Sequence, residues 1–383
     1  MGRTASSSPN LMSSSDGGGG GGDTGCCGFF FSLIEPHSWH RDHETGKRNE
    51  ANHASLRHNP FRSESRRAIR ARGMRAVFFG TPQIAVPALR ALTQVAEVAA
   101  VVCQPDRPSG RGLKVSAPPV KEAALELGLS VHQPTKVRTG ELASWLHEKG
   151  ADVALVMAYG RILPLDVLNA PRRGAMNLHA SLLPRYRGAA PINWAIVNGE
   201  TQTGISLMQM DEGLDTGPVY SRHLLDLTES ETGGSLTERI ATLGAHVVRA
   251  DLAAAVDGKL TAEPQDEALA SHAPLIERHH LQIDWSRSAA EIARLVRGMA
   301  PRPGAFTLLA GKVLRLHDAR PLPAPMPPGA APGTVSILGK RAVIATGNGT
   351  LELVNAQLEG KKAQMALDLI NGRVLSEGVV LGT

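Results

Sequence analysis

Cysteine is scarce in this 383-residue chain: Cys26, Cys27 and Cys103 are its three. Two are adjacent and none forms a C-x-x-C pair, so neither a disulfide framework nor a cysteine zinc site is expected. A reducing cytoplasm fits that usage. Long apolar runs are also missing. Residues 28–34 form a short one, far below the roughly 20 residues a membrane-spanning helix needs. No adequate apolar core followed by a small-residue cleavage site marks a secretory signal. After the first apolar strand Gly80 stands alone, without a G-x-G-x-x-G, which argues against a dinucleotide site.

The net charge of +5 is uneven. Residues 1–73 hold ten Lys+Arg against seven Asp+Glu, 74–282 hold 19 against 22, and 283–383 hold 12 against 7. A basic C-terminal unit behind a larger acidic one points to a polyanionic partner. On charge alone, a chance imbalance of solvated surface is an equally good reading.

The low-complexity start, with serine clusters and the 17–22 glycine run, does not read as a folded unit. Residues 1–73 are expected to be a disordered extension, or to lie upstream of a true start at Met74. From there the pattern is β-α-β: apolar runs at 75–79 and 98–102 flank a helical stripe at 84–95. A parallel sheet follows from that pattern. Residues 104–116 form a Pro- and Gly-rich polar loop bearing Arg107, Arg111 and Lys114. A third buried strand is expected at 152–157, further strands at 204–210 and 219–227, and a long helix at 235–257. The catalytic domain is thus expected over 74–262. Residues 263–282, polar and broken by Pro264 and Pro274, read as a linker. Residues 283–383 open with a helical stripe and continue in short strands, around a Pro-rich insertion at 321–332. A small β-barrel, OB-like, suits that spacing.

The chain is organised around residues 175–196, AMNLHASLLPRYRGAAPINWAI. A short strand delivers Asn177 and His179 two residues apart, hence on one face. Pro184 stops the strand, and Pro191 opens a helix. Ligands collect at the carboxyl ends of strands in α/β sheets. Asp215 stands at another strand end. An amide, an imidazole and a carboxylate suit acyl transfer to an amine. Asn177 and a protonated His179 would stabilise the oxyanion, while Asp215 orients His179 and helps remove the amine proton. Taken singly each residue has a plainer role: a structural histidine, a turn aspartate, an asparagine capping a turn.

Asn177-x-His179-x-Ser181-Leu182-Leu183-Pro184 followed by Arg187-Gly188-Ala189-Ala190-Pro191-Ile192 resembles the signature of folate-dependent formyltransferases. Within them it is most similar to the methionyl-tRNA formyltransferases. The likeness extends from Met74 to the C-terminus. It includes Gly80-Thr81-Pro82, Gln104-Pro105-Asp106-Arg107-Pro108 with Gly110-Arg111-Gly112, Ala158-Tyr159-Gly160, residues 208–216 and Gly360-Lys361-Lys362.

The resemblance implies a Rossmann-like parallel-sheet formyltransferase domain followed by an OB-like β-barrel domain. It implies formyl transfer from 10-formyltetrahydrofolate, without a metal, to the α-amino group of initiator methionyl-tRNA, by a cytoplasmic monomer. It makes Asn177, His179 and Asp215 catalytic and puts Ser181, Leu182, Leu183 and Pro184 against the folate. Arg107, Arg111 and Lys114, with Lys361 and Lys362, are placed on tRNA. Two alternatives stand beside it. A relative acting on a small amine is disfavoured by the Arg-bearing loop and the basic C-terminal unit. A non-catalytic RNA-binding protein is disfavoured by the intact Asn177, His179 and Asp215.

Overall fold

In the computed structural model the described residues are 73–109, 114–322 and 329–383. The expectations for 1–72, for Arg111 and for the middle of the Pro-rich insertion lie outside them. The first unit is built on strands β1 (Arg75–Gly80), β2 (Glu97–Val102), β5 (Val131–His132), β6 (Val153–Met157), β7 (Ala175–His179), β9 (Gln202–Gln209) and β10 (Val219–Asp226). Their order across the sheet is β10-β9-β7-β6-β1-β2-β5. The five strands from β7 to β5 run parallel; β9 and β10 are antiparallel additions at one edge. β1 and β6 are apolar and buried almost throughout, as strands covered on both faces must be.

Alternation along β1 divides the core. Ala76 and Phe78 join the cluster under α1 (Val86–Val95), α2 (Pro119–Glu126) and α6 (Gly233–Val247). Val77 and Phe79 join the cluster under α3 (Glu141–Lys149) and α4 (Leu165–Asn169). From β1 the chain builds outward through β2 to β5, then crosses to the other side of β1 for β6 and β7. The loops leaving β1 and β6 therefore diverge from a topological switch point, where α/β sheets take ligands. Thr81 Oγ1 donates to the Tyr159 carbonyl at 2.9 Å and ties those two loops together.

Three local readings change. Residues 104–116 contain a hairpin, β3 (Arg107–Ser109) and β4 (Lys114–Ser116), which the Pro and Gly content hid. The helix expected at 235–257 is α6, a wide turn (Val248–Leu252) and α7 (Ala253–Val256). Residues 263–282 are not a free tether. Glu263 bridges Val219, and β11 (His272–Ala273) pairs in parallel with β8 (Arg187–Gly188).

The second unit begins with α9 (Ala289–Met299), preceded by the single turn α8 (Arg278–Leu281). Ser288 and Glu291 close a capping box at the start of α9, worth about 1 kcal/mol. Its Ile292, Val296 and Met299 stripe packs on strands β12 (Phe306–Leu309), β13 (Lys312–Leu322), β14 (Val335–Leu338), β15 (Arg341–Ala345) and β16 (Thr350–Leu358). The antiparallel order is β12-β13-β16-β15-β14, with β17 (Gln364–Met365) beside β16. The gap between β14 and β12 is spanned by the last residues: Val335 N–H donates to Val379, Leu381 to Gly333 and Gly382 to Leu308. This curled sheet is the OB-like unit. Pro321, expected in a loop, lies inside β13 opposite Leu351. β12 does not extend that far, so this stretch of β13 has a strand on one side only, the kind of position where proline is tolerated. α9 also holds the units together: Asn193 of α5 (Pro191–Val197) donates to the Gly298 carbonyl at 2.7 Å.

Candidate active site

Asn177 and His179 sit on the same face of β7, while Met176 and Leu178 point into the opposite core. The strand pairs β6 on one side and β9 on the other, so its carboxyl end is held rigidly at the sheet edge. The loop after β9 returns Asp215 to this point. One carboxylate then meets three groups. Asn177 Nδ2 donates to Oδ1 at 3.4 Å, Gly188 N–H donates to Oδ2 at 2.9 Å, and His179 Nδ1 lies 3.5 Å from Oδ2. The other ring nitrogen, Nε2, is 2.8 Å from the Tyr186 carbonyl. A carbonyl only accepts, so Nε2 carries a proton. His179 is 5% exposed, and both its nitrogens are engaged. Asp215 lies beside the ring, as the expected orienting contact requires.

Asp215 adopts φ 55°, a left-handed backbone unusual for a residue with a side chain. Such a conformation costs about 1–3 kcal/mol and persists where its surroundings enforce it. Here Gln265 enforces it, donating from Nε2 to the carbonyls of Asp215 at 2.8 Å and Gly217 at 2.7 Å. Gln265 Oε1 accepts from Arg187 Nε at 3.0 Å and Nη2 at 2.9 Å, and Arg187 also binds Glu267. Nothing in the spacing of residues 263–267 marks Gln265. The Arg187-Gly188 pair was visible only as part of the motif.

The segment expected against folate is largely spent inside. Ser181 is fully buried and donates to the Arg185 carbonyl at 2.6 Å. Leu183 packs with Met208 and Val219. Leu182 and Pro184 remain half-buried. Other exposed apolar surface lies at Ile162, on the loop after β6, and at Leu214, beside Asp215, which are 40% and 38% exposed. Behind the switch point, burial pushes the Tyr159 phenol up to about 12, partly offset by the Arg161 guanidinium. Burial likewise pushes the Cys103 thiol up to about 11. Neither group is set up to ionise at neutral pH.

The residues expected on tRNA are spread out. Arg107 is exposed on β3 and Lys114 lies across the hairpin on β4; Lys361 and Lys362 are exposed at the β16–β17 turn of the second unit. The hairpin base is anchored: Gln133 Nε2 donates at 2.8 Å to both the Gln104 carbonyl and Asp106, which pairs with Lys121. Among the described residues no group of His, Cys, Asp or Glu is placed to hold a metal ion, and no helix is long and apolar enough to cross a membrane.

Comparison with known proteins matches two family models in order, formyl transferase over residues 74–251 and formyl transferase, C-terminal domain, over residues 275–374. Solved structures share the fold at low identity. One is WlaRD, a sugar 3N-formyl transferase, with TM-score 0.56 and 15% identity over 76% of this chain and 99% of that one. Another is HypX from Aquifex aeolicus in complex with tetrahydrofolic acid, with TM-score 0.53 and 17% identity over 81% of this chain and 50% of that one. The methionyl-tRNA formyltransferase of Myxococcus xanthus is 47% identical over 79% of this chain and 96% of its own length. That of Sorangium cellulosum is 57% identical over 310 residues, 81% of this chain and 100% of its own length. With both domain models matched in order and identity of that level across whole relatives, the chain belongs to the methionyl-tRNA formyltransferase family.

Proposed function

We propose that this chain transfers the formyl group of 10-formyltetrahydrofolate to the α-amino group of initiator methionyl-tRNA, as a monomer in the cytoplasm. The observation that carries the mechanism is the convergence of Asn177, His179 and the Gly188 N–H on the Asp215 carboxylate at the end of β7. The bound folate supplies the formyl carbon. The apolar side chains of Ile162 and Leu214 suit a planar ring system, and Asn177 keeps a donor for the formyl oxygen.

As the amine nitrogen adds to the formyl carbon, its oxygen gains negative charge. Asn177 Nδ2 donates to that oxygen, and protonated His179 stabilises the charge across the site. Asp215 accepts the proton the amine nitrogen loses. The new C–N bond replaces the one to the donor nitrogen, which leaves carrying a proton. No covalent bond to the enzyme is needed.

The test is formyl transfer to labelled methionyl-tRNA, initiator against elongator, with 10-formyltetrahydrofolate as donor. Formylation confined to the initiator supports the reading. Absence of transfer to either tRNA, with transfer to a small amine, would replace it by the small-amine alternative.

A further inference from the structure

Arg187 is 3% exposed, an expensive place for a guanidinium. Its fork is filled by two partners, both from residues 263–267: Gln265 Oε1, which takes Nε and Nη2, and the Glu267 carboxylate, which takes Nη1 and Nη2. That contact fixes which way the Gln265 amide faces. With its oxygen on the guanidinium, its NH2 must point the other way, where it meets the carbonyls of Asp215 and Gly217. Turning the amide over would set NH2 against a cation and oxygen against two carbonyls. The alignment of β11 with β8 and the Glu263–Val219 bridge hold the rest of this segment on either side of the Asp215 loop.

We propose that Gln265, oriented by Arg187, is a positioning residue for Asp215, so that the segment connecting the two domains completes the catalytic centre. By gripping the carbonyls on either side of Thr216, Gln265 holds the left-handed backbone of Asp215 and aims its carboxylate at Asn177 and His179. Gly188, next to Arg187, holds the same carboxylate directly, so one two-residue strand serves both contacts. The inference rests on the reading that Asp215 handles the amine proton.

The test compares Gln265→Glu, Gln265→Leu, Asp215→Asn and the double variant Gln265→Glu/Asp215→Asn in the full chain, with initiator methionyl-tRNA and 10-formyltetrahydrofolate. Gln265→Glu is isosteric and still accepts from Arg187, but turns an oxygen on the two carbonyls. A misplaced reacting group costs up to about 100-fold, so kcat should fall about 10- to 100-fold in both single Gln265 variants. KM for both substrates should stay within about twofold. The double variant should be no slower than Asp215→Asn alone, as for residues acting as a unit. Wild-type kcat in Gln265→Glu beside a slow Asp215→Asn would overturn the proposal and leave the role of Asp215 standing. Losses that multiply in the double variant would also overturn it. A wild-type rate in Asp215→Asn would instead remove the reading beneath. If Gln265→Leu does not fold, Gln265→Glu decides, with its melting temperature measured beside kcat.

Discussion

His179 Nδ1 faces Asp215 Oδ2 at 3.5 Å while its Nε2 is held 2.8 Å from the Tyr186 carbonyl. Because Nε2 must donate, Nδ1 faces a carboxylate as an unprotonated lone pair unless the pair holds one further proton. Such a proton would make the contact attractive, and the proposed transfer, which takes a proton from an amine and returns one to a leaving nitrogen, needs a pair able to hold it.

Replacing His179 by Gln tests this. A glutamine amide keeps a donor for the Tyr186 carbonyl but carries no charge and no exchangeable ring proton. Loss of one stabilising group of this kind costs about 100- to 1000-fold in rate. We expect His179→Gln to lose that much kcat with the affinity for methionyl-tRNA kept. Steady-state kinetics beside an equilibrium tRNA titration reads both. Near-normal turnover would take His179 out of the mechanism.

Gly188 is the point where the connecting segment and the Asp215 carboxylate meet. Its φ is 117°, and a Cβ there would lie 2.7 Å from the Ala273 carbonyl oxygen. Gly188→Ala is therefore strained and overpacked, at a cost of about 1–3 kcal/mol. We expect a lower melting temperature together with a fall in kcat, since relief of the clash pulls the Gly188 N–H off Asp215. An alanine variant with unchanged melting temperature and rate would show that β8 and β11 are not in contact as described.

The proposed trio was legible because Asn177 and His179 close one apolar run and Asp215 lies in the loop after another, and strand ends in α/β sheets collect ligands. The two-residue spacing placed Asn177 and His179 on one face, where the structure has them. The geometry of Asp215 was not legible. Its carboxylate is held by a main-chain N–H and its backbone by Gln265, 50 residues on, and neither leaves a periodic trace. The same limit hid the β3–β4 hairpin, since three-residue strands carry too little alternation to show. Polar content made 263–282 look like linker, and most of its polar side chains do face solvent, but Gln265 turns inward between two carbonyls and the Arg187 guanidinium. Ser181 and Leu183 were implied as ligand contacts by their motif, but their side chains point inward.

A chain beginning at Met74 contains one cysteine, Cys103, which is fully buried. β1 begins at the next residue, and the Sorangium cellulosum relative is matched over its whole length by 310 residues of this chain. We expect this shorter protein to keep the melting temperature and activity of the full chain. It also isolates a pH effect. Burial raises the Cys103 thiol from 9.0 to about 11, so the unfolded chain releases its proton first. The stabilising contribution is complete below pH 9, and shrinks as the pH rises towards 11. A thiol reagent at pH 8 should label Cys103 only after denaturant is added, and stability should decline above pH 9. Rapid labelling of the folded protein would contradict the burial.

The last prediction concerns where a polyanion is held. The larger unit, 74–282, is net acidic, and the basic excess lies in 283–383. Phosphates must therefore find charge on particular features rather than on the whole surface. Arg107 projects from the β3–β4 hairpin, which leaves the carboxyl end of β2, on the same sheet edge that presents Asn177 and His179. Its base is fixed by Gln133 and the Asp106–Lys121 pair, so the hairpin has a defined place at the carboxyl edge of the sheet. Lys361 and Lys362 are exposed on the second unit, and neither makes an ion pair among the described residues. Each phosphate contact contributes about 0.7–0.9 to the slope of log affinity against log salt. Arg107→Ala/Arg111→Ala should flatten that slope by about 1–2 and weaken tRNA binding, with folate affinity unchanged. Lys361→Ala/Lys362→Ala should flatten it by a similar amount without touching the single-turnover rate at saturating tRNA. Titrations at several salt concentrations with initiator methionyl-tRNA measure both. Were both variants to keep the wild-type affinity and slope, neither the hairpin nor the β16–β17 turn would be a phosphate contact, and the tRNA would have to lie on a different face.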